Sequence, residues 1–388
     1  MRRVPIEPRP DWKDQAERLG FHFHTIEGET YWDESAYYAF SLEQVEDDIE
    51  TATQAVHDMA MQLVDEVVQS EELLQRIAIP ETYWDWIRAS WQGGDPHLYG
   101  RMDLAYDGTG PAKLYELNYD TPTSLYEAAY FQWLWLEQQI AAGHLPAGAD
   151  QLNRIQELLC ETLATLSREE RIGQVMHFAS AEGSIEDRAT VQYLQDCAHQ
   201  VGIRTAAIDI ENIGISRDGW FTDLEDNVIQ TLFKLYPLEF MFEETFGQYL
   251  PANRMQLVEP AWKAVLSNKG ILPLLWERHQ GHPNLLPARF DTAGSGELSP
   301  GWVRKPLFSR EGANVELVTA QGERMSSPGP YGDSPSILQA YHPLPVFDGH
   351  YPLIGSWVIA DQPAGMGVRE DSTLITRDTS RFIPHAIV

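Results

Sequence analysis

Two extended runs separated by a turn constrain this chain more than any other feature. Arg101, Asp103 and Ala105 alternate with Met102, Leu104 and Tyr106. Asp107-Gly108-Thr109-Gly110-Pro111 then breaks the chain, and Leu114, Glu116 and Asn118 follow in a second extended run. Side chains two apart on a strand share a face, so the stretch reads as a β-hairpin with Arg101 and Asp103 together, and Glu116 and Asn118 together. Closure around Thr109 and Gly110 sets Asp103 opposite Glu116 and Arg101 opposite Asn118, because both pairs are centred on that turn. Two carboxylates and an amide oxygen form a hard, oxygen-only donor set suited to Mg²⁺, and a neighbouring guanidinium suits an anion held by that metal. A solvated strand face carrying ordinary charges has the same pattern, so the spacing alone leaves both readings open.

The rest of the chain limits what such a hairpin can serve. With 388 residues, of which 43% are hydrophobic and 22% charged, the chain can build two or three lobes around a substantial core. The formal net charge of −30 repels nucleic-acid backbone and anionic membrane surfaces, and it suits cationic partners such as a polyamine. The N-terminus has no apolar signal region and no window reaches the length of a transmembrane helix, so the expected location is the cytoplasm. Cys160 and Cys197 are the only cysteines, both in helix-like contexts, and read as core thiols.

Taken in order, His22 and His24 fall on an alternating aromatic strand with no further ligands at metal spacing. Ser41 and Gln44 make a capping-box start for a long helix whose apolar stripe runs from Leu42 through Val45, Ile49, Val56 and Leu63 to Val67. A short aromatic helix through Trp84, Trp86 and Trp91 precedes the hairpin, and helices over about 125–142 and 150–166 follow it. Val175 to Ala179, 185–202 and Arg204 to Ile210 read as a βαβ unit without a Gly-x-Gly-x-x-Gly turn, hence a supporting α/β lobe rather than a dinucleotide site. Phe233 to Glu239 is a strand meeting a helix start. Residues 262–275 are helical in texture around Asn268-Lys269-Gly270. Trp302-Val303-Arg304-Lys305-Pro306 is a strand carrying a lysine, followed by the loop Phe308-Ser309-Arg310-Glu311-Gly312-Ala313-Asn314-Val315, and a strand lysine beside a glycine loop has the parts needed to neutralise and cover a nucleotide's phosphates. Strands at 336–341 and 351–360, and a last pair starting at Val368 and closing at Phe382, make the end of the chain mostly antiparallel β. The P-loop, nucleophile-elbow and His-Glu-x-x-His signatures are absent, which disfavours P-loop NTPases, α/β-hydrolases and zinc proteases.

Five motifs then occur in order: Gly100-Arg101-Met102-Asp103, Tyr115-Glu116-Leu117-Asn118-Tyr119-Asp120, Asn268-Lys269-Gly270-Ile271-Leu272-Pro273, Val303-Arg304-Lys305-Pro306 with the Gly312 loop, and Gly367-Val368-Arg369-Glu370-Asp371. In these the chain resembles the synthetase part of the glutathionylspermidine synthase family over nearly its whole length. The resemblance implies an α+β, α/β architecture: an ATP-grasp fold with a preATP-grasp α/β lobe, in which the metal-binding hairpin precedes the nucleotide lysines. It implies lobes at 1–170 (N-terminal helices and hairpin), 171–260 (preATP-grasp-like) and 261–388 (nucleotide-binding and closing β region). It implies ATP and Mg²⁺, with Asp103, Glu116 and Asn118 as metal ligands, Arg101 at the anionic reaction centre, Arg369 on the transferred phosphoryl, Lys269 and Lys305 on the nucleotide, Gly312 in the covering loop, and Gln339 to Tyr341 where a hinge meets adenine.

The implied reaction is carboxylate activation as an acyl phosphate followed by attack of an amine, on a small-molecule or short-peptide carboxylate and an amine such as a polyamine. Members with an amidase domain carry it before the synthetase region, where this chain begins, so amidase activity is not expected. Asp120, Thr121 and Ser124 lie in the loop where the acyl substrate should sit, and that loop differs from the one in glutathione-using members. Glu239, with Glu243 and Glu244, matches an acidic position on the amine side, while for Glu243 and Glu244 a solvated helix start is an equal reading. Two rivals remain: the same ligase chemistry on another short peptide or amino acid, and a non-catalytic ATP- or polyamine-binding protein. Both lysines, Arg369 and all four hairpin groups occur together, which argues against the second.

Overall fold

The structure, a computed structural model, describes residues 1–26, 28–292, 296–377 and 380–388. The hairpin is formed by strands Tyr99–Ala105 and Lys113–Asn118, and it does not stand alone. Tyr99–Ala105 pairs antiparallel with Tyr351–Ile359, which pairs with Gln362–Asp371 and through it with Arg381–Ile383, completing a five-stranded sheet. Strands more than two hundred residues apart in sequence therefore share one surface.

A second five-stranded antiparallel sheet runs in the order Ala288–Phe290, Ser336–Ala340, Trp302–Pro306, Glu316–Val318, Arg324–Ser326. The expected βαβ unit is present as strand Val175–Ser180, helix Ile185–Gln200 and strand Arg204–Asp209. It belongs to a four-stranded parallel sheet completed by Thr231–Leu235 and Gln256–Val258. The architecture is mixed α/β. No described helix is long and apolar enough to cross a membrane.

Local chemistry explains most boundaries. The Ser41 amide donates to Gln44 Oε1 at 3.1 Å and the Gln44 amide donates to Ser41 Oγ at 3.2 Å, so the capping box closes reciprocally. The first turns, Gln44–Glu50, wind as a π-helix before the α-helix Thr51–Val67. Val45, Ile49, Val56, Leu63 and Val67 are buried as expected, but Leu42 falls within the cap, ahead of the helical face, and is 54% exposed.

Four further expectations change. His22 and His24 lie in a turn, where both imidazoles reach Glu17 at 2.6 and 3.1 Å, because a carboxylate partner at the surface competes with strand pairing. The helical texture of 262–275 breaks into Ala261–Val265 and Ile271–Arg278, since the Asn268 side chain accepts from the Gly270 amide at 2.7 Å and donates to the Ile77 carbonyl. Val368 to Asp371 end a ten-residue strand rather than begin one. Of the two thiols, Cys197 is buried and Cys160 is only partly so.

Candidate active site

Register decides which side chains meet. Arg101 lies opposite Asn118 and Asp103 opposite Glu116, after which a bulge shifts the pairing so that Leu104 faces Leu114. Asp103 is buried between two guanidinium groups: Arg101 donates from Nε at 2.8 Å and from Nη2 at 3.2 Å, and Arg369 Nη2 donates at 2.9 Å from the strand Gln362–Asp371. The intervening strand makes room for this. Gly355 stands opposite Asp103, and a Cβ on it would lie 2.9 Å from Arg101 Cδ. Arg101 also donates to the Thr123 carbonyl at 2.7 Å, tying the hairpin to the loop that follows it.

A solvent-open cleft of about 740 Å³ lies against this patch, lined by residues of both five-stranded sheets. Asp103, Glu116, Lys269, Lys305, Gly312, Gln339 and Tyr341 all line it, so seven of the residues singled out in the sequence converge on one space. Lys305 Nζ donates to the Tyr115 carbonyl at 3.0 Å and to Gln339 Oε1 at 2.8 Å. Burial, together with repulsion from Lys269, pulls its pKa down to about 8 against the attraction of Glu116 and Asp103. Lys269 Nζ lies 3.2 Å from Glu116 Oε2 and also donates to the Ser309 carbonyl of the glycine loop. Burial alone would raise the Glu116 carboxyl, but Lys269 and Lys305, with hydrogen bonds from Lys269 and Asn118, outweigh it and hold it at about 2. Asn118 does not line the cleft itself; its Nδ2 donates to Glu116 Oε1 at 3.3 Å.

Beyond Asn118 the residues divide. Asp120 is fully buried, pairs with the fully buried Lys234 and accepts from the Leu238 amide at 2.9 Å. Removing one partner of such a pair costs about 3–5 kcal/mol, so Asp120 is committed to holding the loop onto the parallel-sheet lobe. Thr121 Oγ1 accepts from Arg310 Nη1 at 2.7 Å, and Glu239 accepts from Arg310 Nη2 at 2.5 Å. Ser124 has φ of +68°, and its hydroxyl meets Tyr31 at 3.1 Å.

Tyr31 donates to Glu127, whose carboxyl is raised to about 7 by burial in spite of that bond and of Arg101 and Arg369 nearby. Glu186, on the first turn of the helix Ile185–Gln200, is raised to about 8 by burial and by the charges of Glu127, Asp187 and Glu311. Tyr31, Glu127, Glu186 and Arg310, which surround these residues without lining the cleft, were not singled out by sequence reading. Arg310 was visible inside the glycine-loop motif, whereas nothing local relates Tyr31 or Glu186 to the hairpin. Among the described residues no group of three or more His, Cys, Asp or Glu side chains is arranged to hold a metal ion. The hairpin set has two carboxylates and an amide.

Comparison with known proteins gives this arrangement a family. The model of the glutathionylspermidine synthase preATP-grasp family matches residues 3–388. The chain belongs to that family. It is 38% identical, over the full length of both chains, to a Haemophilus influenzae protein provisionally named an acid–amine ligase. It is 26% identical to the bifunctional glutathionylspermidine synthetase/amidase of Escherichia coli, with 97% of this chain and 63% of that protein aligned. It is 28% identical to the trypanothione synthetase of Crithidia fasciculata, with 84% of this chain and 53% of that protein aligned. Among solved structures, a glutathione synthetase-like effector from Globodera pallida shares the fold, with a TM-score of 0.59 at 12% identity over 99% of both chains.

Proposed function

We propose that this member of the glutathionylspermidine synthase family is an ATP-dependent carboxylate–amine ligase that works through an acyl phosphate. The observation that carries this is the single cleft on which Asp103, Glu116, Lys269 and Lys305 converge, with Arg101 and Arg369 gathered on Asp103 at its edge. The donor set is hard oxygen only, and Glu116 stays ionised at neutral pH, which fits Mg²⁺. Asp103, Glu116 and Asn118 would hold that ion, which when bound supplies charge neutralisation for the phosphates. Lys269 and Lys305 bind the nucleotide's phosphates, and Gln339 to Tyr341 border its base.

A substrate carboxylate oxygen attacks the γ-phosphorus and ADP leaves. The amine nitrogen then attacks the acyl carbon and phosphate leaves with the carboxylate oxygen. Arg101 and Arg369 stabilise the charge that grows on the transferred phosphoryl and the tetrahedral centre. The loop around Gly312 keeps water from the acyl phosphate. The proton that the amine loses leaves with the departing phosphate as hydrogen phosphate.

The acyl substrate lies along Thr121 to Ser124, and the amine on the acidic side marked by Glu239 and Glu243, which line one hollow. A polyamine is the amine best matched to that charge, and a short peptide or glutathione-type molecule to the acyl loop. The same ligation on a different peptide or amino acid is supported by the Thr121-Pro122-Thr123-Ser124 sequence of that loop. The reaction suits a cytoplasmic, ATP-supplied setting. The test is phosphate release with ATP and Mg²⁺ against a panel of carboxylates and amines that includes glutathione and spermidine, with the product weighed by mass spectrometry. An amide mass from at least one pair, lost in Glu116→Gln, is expected. Phosphate release that needs neither carboxylate nor amine, or that is unchanged in Glu116→Gln, would overturn the proposal.

A further inference from the structure

Behind the hairpin, on the side away from the cleft, three side chains from distant segments form a directed hydrogen-bond chain. Tyr119 sits between Asn118 and Asp120, and its hydroxyl lies 3.0 Å from Nδ1 of the buried His57, the two rings stacked at 5.9 Å and 17°. His57 Nε2 lies 3.0 Å from Asp361 Oδ1, and His97 Nε2 lies 3.3 Å from the same oxygen. An ionised carboxylate only accepts, so His57 presents Nε2–H to it. With the imidazole neutral, its Nδ1 accepts from the Tyr119 hydroxyl, and the chain then runs from Tyr119 through His57 to Asp361.

The other faces of Tyr119 are closed. A Cβ on Gly100 would lie 2.6 Å from its ring, so only glycine lets the two strands approach there. Lys263 Nζ stands 4.9 Å over the ring centroid while paired with Glu259 at 2.8 Å. Asp361 itself occupies the turn between Tyr351–Ile359 and Gln362–Asp371, where Ala360 and Asp361 have φ of +46° and +64°. Glycine, asparagine and aspartate all suit such a turn. The Asp361 side chain is 55% exposed and engages two imidazoles from it.

We infer that Asp361, His57 and Tyr119 form a positioning relay that sets the end of the strand Lys113–Asn118, and through it the presentation of Asn118 on the metal face. Successive side chains on a strand point to opposite faces, so fixing Tyr119 from behind fixes the direction in which its neighbour Asn118 is offered. The inference rests on the Mg²⁺ reading of Asp103, Glu116 and Asn118. None of the three relay residues lines the cleft, so they act on the reaction through the chain neighbours of Tyr119, Asn118 foremost.

Two substitutions test it without disturbing packing. Asp361→Gly removes the carboxylate and suits the backbone angle; Tyr119→Phe keeps the ring and removes the donor. The Mg²⁺ concentration giving half-maximal phosphate release should rise about 10-fold in each, as outer-shell partners of a metal typically require, with KM for ATP unchanged. The double variant should rise no further than either single one, because both break the same chain. A merely structural role would lower the thermal midpoint and leave the Mg²⁺ requirement alone. An unchanged requirement in both variants, or additive shifts in the double variant, overturns the relay if Glu116→Gln still moves the Mg²⁺ requirement. If Glu116→Gln leaves it unmoved as well, the metal reading itself fails, and the relay with it.

Discussion

Lys305 shows what a buried site does to a single side chain. Its carbonyl and amide partners satisfy the ammonium, but burial and Lys269 bring its pKa down to about 8 while Glu116 and Asp103 pull the other way. Because this folded value lies below that of a free lysine, the charged form opposes folding. That cost is present in full below about pH 8 and fades as pH rises toward about 10.5. On the proposed reading of Lys269 and Lys305, nucleotide binding has the opposite sign. Phosphates brought beside Lys269 and Lys305 favour the charged form, so ATP should bind more weakly as pH rises through about 8 and should take up protons when it binds. Calorimetric titration at pH 8.5 in buffers of different ionisation heat is expected to show that uptake in the wild type and not in Lys305→Met. Equal heats in all buffers, or the same uptake in the variant, would contradict the assignment.

Residues of this kind were legible in the sequence wherever a two-residue period set their direction. Asp103 and Glu116 could be paired before any coordinates, and the register agrees. Asp120 could not be read as a partner of Lys234, because the two stand 114 residues apart and meet only when the loop after the hairpin packs on the parallel sheet.

At the scale of elements, the glycine loop makes the sharpest demand. Gly312 has φ of +72°, and a Cβ there would lie 2.7 Å from the Thr376 carbonyl oxygen and 2.8 Å from Ile375 Cγ2. The loop is thus seated on residues 375 and 376, with Arg310 reaching from it to Thr121 and Glu239. Gly312→Ala is strained in both backbone and space. It is expected to lower kcat on the order of 10- to 100-fold, as misplacement near the chemistry does, and to raise the ratio of phosphate released to amide formed by admitting water to the acyl phosphate. A ratio and a rate equal to wild type would remove the loop's covering role. Element types were mostly readable, because Ser41 with Gln44, Pro237 before its helix and the alternation at 302–306 are local signals. The failures were local contests: Asn268 breaks a helical run through its own side chain, and Glu17 draws His22 and His24 out of a strand.

At the scale of the molecule, the site exists because the chain returns to its own beginning. Arg101 and Asp103 come from Tyr99–Ala105, and Arg369 from Gln362–Asp371, joined through Tyr351–Ile359 in one sheet. Periodicity carries no information about which distant strands pair, so the segments expected at 1–170 and 261–388 gave no sign that they share a sheet, whereas the middle segment has a parallel sheet of its own. The resemblance of five ordered motifs supplied what periodicity could not, and the match over residues 3–388 supports it.

On the proposed mechanism, the shared cleft passes a phosphoryl group onto a carboxylate before an amine displaces it. The direct measurement supplies the acyl substrate with both carboxylate oxygens as ¹⁸O and follows the isotope through one turnover with ATP and the amine. One labelled oxygen in the inorganic phosphate and the other in the amide is the expected result. Phosphate free of label alongside amide product would contradict it.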